Sequence, residues 1–292
     1  MGHSRTTLAA VLAIVALTLS ACSSSSVAAP TMAPMPSYDA GTTMARIAAA
    51  GRMRVGIQYH QPGFGLKGMD GTFSGLDIEI ATIIAGAMGL TADNIEWVET
   101  PSTDPEELIE NSKVDLVAGG LTINDKSRER ITLAGPYYVA GQQLMVRSDN
   151  ATIKGPADLK ANPYQKICAV TGSTFARQIE PYLSDPTQLI VSSTVDACVD
   201  ALRANHVQVV TDDNVILLGL TTTSDNAFTL VGQQFTKEPY GIGITKGDVA
   251  FCEFINATLR HGAGAYAKAV ADTAGKLQGG APATLPAATI CI

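Results

Sequence analysis

Two stretches of this 292-residue chain bring together residue types that handle charge. Val207-Gln208-Val209-Val210-Thr211 leads into Asp212-Asp213, so a strand-like run ends on carboxylates. A carboxylate at a strand end can hold a positive charge, and the Asp-Asp-Asn sequence suits a turn equally well. Ala169-Val170-Thr171-Gly172-Ser173-Thr174 places short hydroxyls where a strand gives way to a helix. Backbone N–H groups and hydroxyls at such a junction bind a carboxylate, and either residue also serves as a plain helix cap. Both are binding chemistries. No Ser–His or Cys–His arrangement for nucleophilic catalysis is apparent, and His3, His60, His206 and His261 are scattered. No CxxC or HxxxH spacing offers a metal site, and nothing in the sequence implies a cofactor.

These groups need a framework that fixes strand ends. In 52–58, Met53, Val55 and Ile57 alternate with polar or small residues, which predicts a strand; a Pro/Gly-rich loop follows at 61–71. Leu76, Ile80, Ile83, Ile84, Ala87 and Met88 recur at helical spacing, with Gly89 just past the helix end. A strand at 95–98, a helix at 104–112 opened by Pro105, and a buried strand at 115–118 running into Gly119-Gly120 complete the first unit. The cadence repeats as strand 166–171, helix 174–183, strand 189–191, helix 196–204 and strand 207–211. Such alternation predicts an α/β fold with parallel strands, here in two units. Ligands of open α/β sheets sit beyond the carboxyl ends of the strands, so two facing units make a cleft. The last block, a strand at 240–245 and helices to about 274, lacks a partner and is expected to return to the first unit.

The chain carries 20 Lys+Arg against 27 Asp+Glu, a net charge of −7, with no basic cluster. That balance argues against nucleic acid or a polybasic membrane surface as partner. At the start, His3 and Arg5 precede a short apolar run at 8–19, too short to span a bilayer and of signal-peptide length. Leu19-Ser20-Ala21-Cys22 then resembles the lipobox of bacterial lipoproteins, which implies cleavage before Cys22 and a lipid on its thiol. Residues 1–21 are the expected signal peptide, and 22–37, rich in Ser, Ala, Pro and Met, the expected flexible tether. Cys168, Cys198, Cys252 and Cys291 remain, an even set that suggests two disulfides in an exported chain. Three connectivities are open; Cys168–Cys198 with Cys252–Cys291 keeps each bond within one sequence block.

Gly75-Leu76-Asp77-Ile78-Glu79-Ile80, with Ile84, Ala85 and Met88 beyond, resembles a signature of the bacterial polar-amino-acid solute-binding proteins, extracellular solute-binding protein family 3. The segment from Asp115 to Tyr138 strengthens the likeness: Asp-Leu-Val-Ala-Gly-Gly-Leu-Thr-Ile-Asn, an arginine soon after, then Ala-Gly-Pro-Tyr-Tyr. The resemblance runs from about residue 43 to 274 and implies a periplasmic-binding-protein type II-like α/β fold, two lobes joined by a two-crossover hinge. Crossings would lie near 142–145 and 235–240, the second at Glu238-Pro239-Tyr240-Gly241-Ile242, giving lobe 1 as 38–142 plus 237–292 and lobe 2 as 143–236. In that family a glycine carbonyl and a threonine hydroxyl hold the ligand's α-ammonium, roles that fall to Gly120 and Thr122. An arginine grips the α-carboxylate; the usual position holds Ser127 here, so the role falls to Arg128 through a one-residue bulge, and otherwise Arg128 is an exposed helix residue. Ser173 and Thr174 correspond to the second lobe's ligand segment, and Asp213 to the partner of the α-ammonium. The stretch from Val55 to Gly65 is similar to actinobacterial glutamate/glutamine-type members, which makes Gln58 the reader of the ligand's side chain and Phe64 or Tyr59 a packing partner for its aliphatic part.

What the resemblance implies is a binding protein and not an enzyme. It would be a monomeric receptor, lipid-anchored outside the cytoplasmic membrane, that closes on glutamate, glutamine, aspartate or asparagine and delivers it to the permease subunits of an ABC importer. A sensor module signalling to a membrane partner would share the fold. Some relatives of the fold are dehydratases of cyclic acids, but an Arg–Asp clamp for an α-amino acid disfavours a substrate without an amino group.

Overall fold

The predicted alternation resolves into two five-stranded sheets in the computed structural model, which describes residues 1–2, 36–277 and 284–292. The expected signal peptide beyond its first two residues, Cys22, and the expected tether up to residue 35 lie outside the described residues. In chain order the strands are β1 (Met53–Ile57), β2 (His60–Gln61), β3 (Gly65–Lys67), β4 (Phe73–Ser74), β5 (Ile95–Glu99), β6 (Leu116–Thr122) and β7 (Thr132–Ala140). Then come β8 (Gln142–Arg147), β9 (Ile167–Val170), β10 (Leu189–Ser192), β11 (Val209–Asp213), β12 (Phe228–Val231) and β13 (Glu238–Ile244).

One sheet has the order β5-β1-β6-β13-β7 and the other β10-β9-β11-β8-β12. Each is built on the same plan: β1 pairs parallel with β5 and β6, as β9 does with β10 and β11, and two antiparallel strands follow. Strands covered on both faces read as apolar runs, and Ile-Cys-Ala-Val of β9 is buried throughout. The chain passes from β7 to β8 through Gly141 and returns between β12 and β13 over residues 232–237. The late strand β13 enters the first sheet between β6 and β7, as its lack of a partner required.

Local differences from the sequence reading have physical causes. The helix predicted for 174–183 stops at Gln178 and yields to a 3-10 turn at Glu180–Tyr182, because Pro181 cannot continue the helical ladder. The loop predicted at 61–71 contains a small antiparallel meander of β2, β3 and β4. β6 continues through both glycines to Thr122, where it pairs with Tyr240 of β13.

Both disulfides staple one sheet's own elements. Cys168 of β9 joins Cys198 on the helix Val195–Arg203, and Cys252 on the helix Val249–His261 joins Cys291, with Cα–Cα separations of 5.4 and 5.8 Å. Sequence separations of 30 and 39 residues give about 4 kcal/mol each in the chain-entropy description. The segment 284–292 lies along the first sheet: Thr289 N donates to Gly135 O at 2.7 Å, and Thr132 Oγ1 donates to Ile292 O at 2.9 Å. Asp115, just ahead of β6, accepts from Arg54 N (2.7 Å) and from the guanidinium groups of Arg54 and Arg46 (2.8 Å each). Burial raises its pKa, but these hydrogen bonds outweigh it and hold the carboxyl below the usual range.

Candidate functional site

The strands of both sheets deliver their carboxyl ends to one cavity of about 240 Å³. From the first sheet come Gln58 beyond β1 and Gly119 to Thr122 of β6; from the second come Val170 of β9, Gly172 to Phe175, and Asp212-Asp213 of β11. This is the position that open α/β sheets give to ligands.

At the deep end stands Asp213, only 3 % exposed. Its Oδ2 accepts from the Tyr240 hydroxyl at 2.5 Å, while Oδ1 is buried without a hydrogen-bond partner. Asp212 accepts from Asp213 N at 2.8 Å. Burial, then the neighbouring carboxylates, push this pair above the ordinary carboxylate range. Such a pair is short of positive charge, and an ammonium group in contact with Oδ1 supplies it. Gly120 lies in the left-handed region (φ 66°), and its N–H reaches the Tyr137 hydroxyl at 3.4 Å. That hydroxyl donates to Asp77 Oδ1 at 2.6 Å. Thr122 Oγ1 donates to Glu238 Oε2 at 2.9 Å, and Thr174 Oγ1 to the same oxygen at 3.4 Å. Ser173 caps the helix Thr174–Gln178, accepting from Ala176 N at 3.2 Å. Gln58 Oε1 accepts from Ser102 Oγ at 3.0 Å, and both residues line the cavity.

Gln58, Gly120, Thr122, Ser173, Thr174 and Asp213 are therefore gathered around one space, but two expected residues are not. Arg128 lies away from the cavity: its guanidinium donates to Thr289 Oγ1 (3.0 Å) and Ile290 O (3.4 Å) of the C-terminal segment. The reason is helical phase. Asn124 caps the helix Asp125–Arg130 and sets Ser127 toward the cavity, so the next residue is turned about 100° away while Arg130, three on, returns to the same face. No bulge restores Arg128; besides Arg177, whose Nη1 donates to Gly172 O and Ser173 O at 3.1 Å each, the arginine in the wall is Arg130. It donates to Asp104 Oδ1 (2.7 Å) through Nη1 and to Glu110 through Nε and Nη2, and Nη1 also lies 3.8 Å from Glu106 Oε2; two of its five N–H donors make no hydrogen bond. Phe64 is fully buried in the core, edge-on to Tyr138 and Tyr240 at ring separations of 5.2 and 5.7 Å, and lies behind the wall. Tyr59 also faces elsewhere, with its hydroxyl on Trp97 O and its ring against Phe73.

The sequence reading did not single out Arg130 and Tyr240, which line the cavity, or Glu238 and the Asp77–Tyr137 pair, which stand behind it and bond to Thr122, Thr174 and Gly120. Glu238 and Tyr240 stand in a motif that the sequence reading used only to mark a crossing, and Asp77 in one it used only for recognition.

Asp77 gives a testable consequence. Burial lifts its carboxyl to about 7, against the lowering effect of the Tyr137 hydrogen bond. Between an unfolded value of about 4 and that raised value the folded chain holds a proton the unfolded chain has lost, so stability falls as pH rises through the window. The buried Asp212–Asp213 pair acts in the same direction. Thermal melts of the wild type are expected to fall across it. Asp77→Asn, which keeps an acceptor for Tyr137, should flatten part of that slope; an unchanged slope would mean Asp77 is ionised throughout.

Residues 53–270 match the profile of the bacterial extracellular solute-binding proteins, family 3. The chain is 37% identical over 218 residues to the glutamate-binding protein GluB of Corynebacterium efficiens, covering 72% of this chain and 73% of that protein. It is 30% identical over 253 residues to the glutamine-binding protein of Geobacillus stearothermophilus, covering 86% and 95%. Among solved structures, an ancestral arginine-binding protein bound to glutamine superposes with a TM-score of 0.70 at 27% identity, over 76% of this chain and 97% of the other.

Proposed function

This chain belongs to the bacterial extracellular solute-binding proteins, family 3, and from that premise we propose that it is an amino-acid receptor anchored outside the cytoplasmic membrane by a lipid on Cys22. It takes a polar L-amino acid of the glutamate, glutamine, aspartate or asparagine class into the cavity and delivers it to an ABC importer. The observation that carries this reading is the buried, unpartnered Oδ1 of Asp213 beside a cavity lined from both sheets. The ammonium sits at Asp213 with Gly120 and Thr122, the carboxylate takes the two open N–H groups of Arg130, and the side chain extends toward Gln58. The names of the relatives, one glutamate-binding and one glutamine-binding, support that ligand class.

In this reading the lobes divide as 38–142 with 237–292, and 143–236. The first lobe engages the amino acid, and rotation at Gly141 and 232–237 closes the second over it. A thermal-shift panel of the twenty amino acids tests the proposal, using mature protein freed of carried-over ligand by unfolding and refolding. A polar L-amino acid at a hundred times its Kd stabilises by about 2.7 kcal/mol, a shift of a few degrees. Silence across the panel would overturn the amino-acid reading.

A further inference from the structure

A hydroxyl carries one proton, so what it offers a ligand depends on where that proton is already committed. Around the deep end of the cavity the hydroxyl protons are committed to the protein. Thr122 and Thr174 both donate to Oε2 of Glu238, whose Oε1 accepts from Thr236 Oγ1 at 2.7 Å. Tyr240 donates to Asp213, and Tyr137 to Asp77. Glu238 itself is fully buried and stands behind the wall, at the start of β13 where the chain re-enters the first sheet. The two threonines that it holds come to the cavity from different sheets: Thr122 ends β6 of the first, and Thr174 opens the helix after β9 of the second.

We propose that Glu238 is a positioning residue that sets the polarity of the binding end. By taking one hydroxyl proton from each lobe it turns Thr122 and Thr174 toward the cavity as acceptors. With Asp213 Oδ1 and the Gly120 carbonyl they surround a primary ammonium with acceptors alone. A secondary amine has one N–H fewer and brings a methyl group against an acceptor, so Nα-alkylated amino acids are rejected. The same arrangement removes Thr174 from any role as a hydroxyl donor to the ligand's carboxylate. This inference rests on the amino-acid reading of the cavity.

The test is a mutant cycle: Glu238→Gln, the pair Thr122→Val with Thr174→Val, and all three together. Calorimetric titration uses L-glutamine and L-glutamate, each beside its Nα-methyl derivative. In the wild type the parent amino acid is expected to bind at least a hundredfold tighter than the methylated one. Glu238→Gln, whose amide can donate to the threonines and free their protons, lowers parent affinity about tenfold and narrows that preference. In the valine background the same change has less than a twofold effect, because no hydroxyl is left to orient. Equal losses in both backgrounds, or no loss in the first, overturn the proposal. Should Glu238→Gln not fold, the valine pair alone reads the same discrimination; an unchanged preference there overturns it too. Melts of the four proteins without added amino acid form a separate arm. Non-additive melting temperatures support the Glu238–threonine contact, and additive ones overturn it, even if neither amino acid binds the wild type and the receptor reading has itself failed.

Discussion

Asp213→Asn is expected to abolish amino-acid binding while leaving the protein folded. The substitution keeps the shape of the side chain and an oxygen to accept the Tyr240 hydroxyl now received at 2.5 Å. What it changes is the atom facing the cavity: an N–H donor replaces the unpartnered Oδ1, and donor then meets the donors of the ammonium. Removing one member of a desolvated charge pair costs about 3 kcal/mol or more, roughly two orders of magnitude in Kd. Without ligand the sign reverses. Burial and the neighbouring Asp212 hold the Asp213 carboxyl above its ordinary range, so ionising it opposes folding, and the neutral amide should melt at the same temperature or higher. For the same reason the wild type is expected to release a proton on binding at a pH where the carboxyl is still protonated, seen as a buffer-dependent heat in titration calorimetry, and Asp213→Asn is not. Retained affinity would remove Asp213 from the site.

The second large effect separates two arginines two positions apart. Arg130→Ala removes one of the two guanidinium groups that line the cavity, the other being Arg177, and a lost charge-assisted hydrogen bond of about 1.5–3 kcal/mol lowers affinity roughly ten- to a hundredfold. Arg128→Ala leaves affinity within about threefold and shows itself in the melting temperature, since its contacts are to Thr289 and Ile290. Titration of the two variants side by side is decisive. A collapse of binding in Arg128→Ala with none in Arg130→Ala would reverse the assignment and require the helix to turn on binding.

That pair also marks how far the sequence could be read. A motif gives spacing along the chain, and spacing put the search within three residues of Ser127; only the phase of the helix capped by Asn124 decides which neighbour shares its face. Strands whose residues are apolar throughout, such as β9, and a cap such as Ser173 are written locally, and they were legible. So were the cysteine pairs once each was confined to one block. Glu238 was not legible as part of the site, because its bond to Thr122 spans 116 residues and exists only when β13 comes back beside β6. Phe64 shows the opposite limit: an aromatic residue in a Gly-rich loop reads equally as a ligand contact or as core, and only the fold shows it fully buried against Tyr138 and Tyr240.

β7 is an outer strand of its sheet, and an outer strand normally leaves a row of backbone groups open to any chain that can pair with them. At Gly135 both are already occupied. Its N–H donates to Asn256 Oδ1 at 2.7 Å, and its carbonyl accepts from Thr289 N at 2.7 Å, two residues before the cysteine bonded to Cys252. The Cys252–Cys291 bond thus ties down the segment that covers this point of the edge, and its reduction is expected to free the Gly135 carbonyl for another donor.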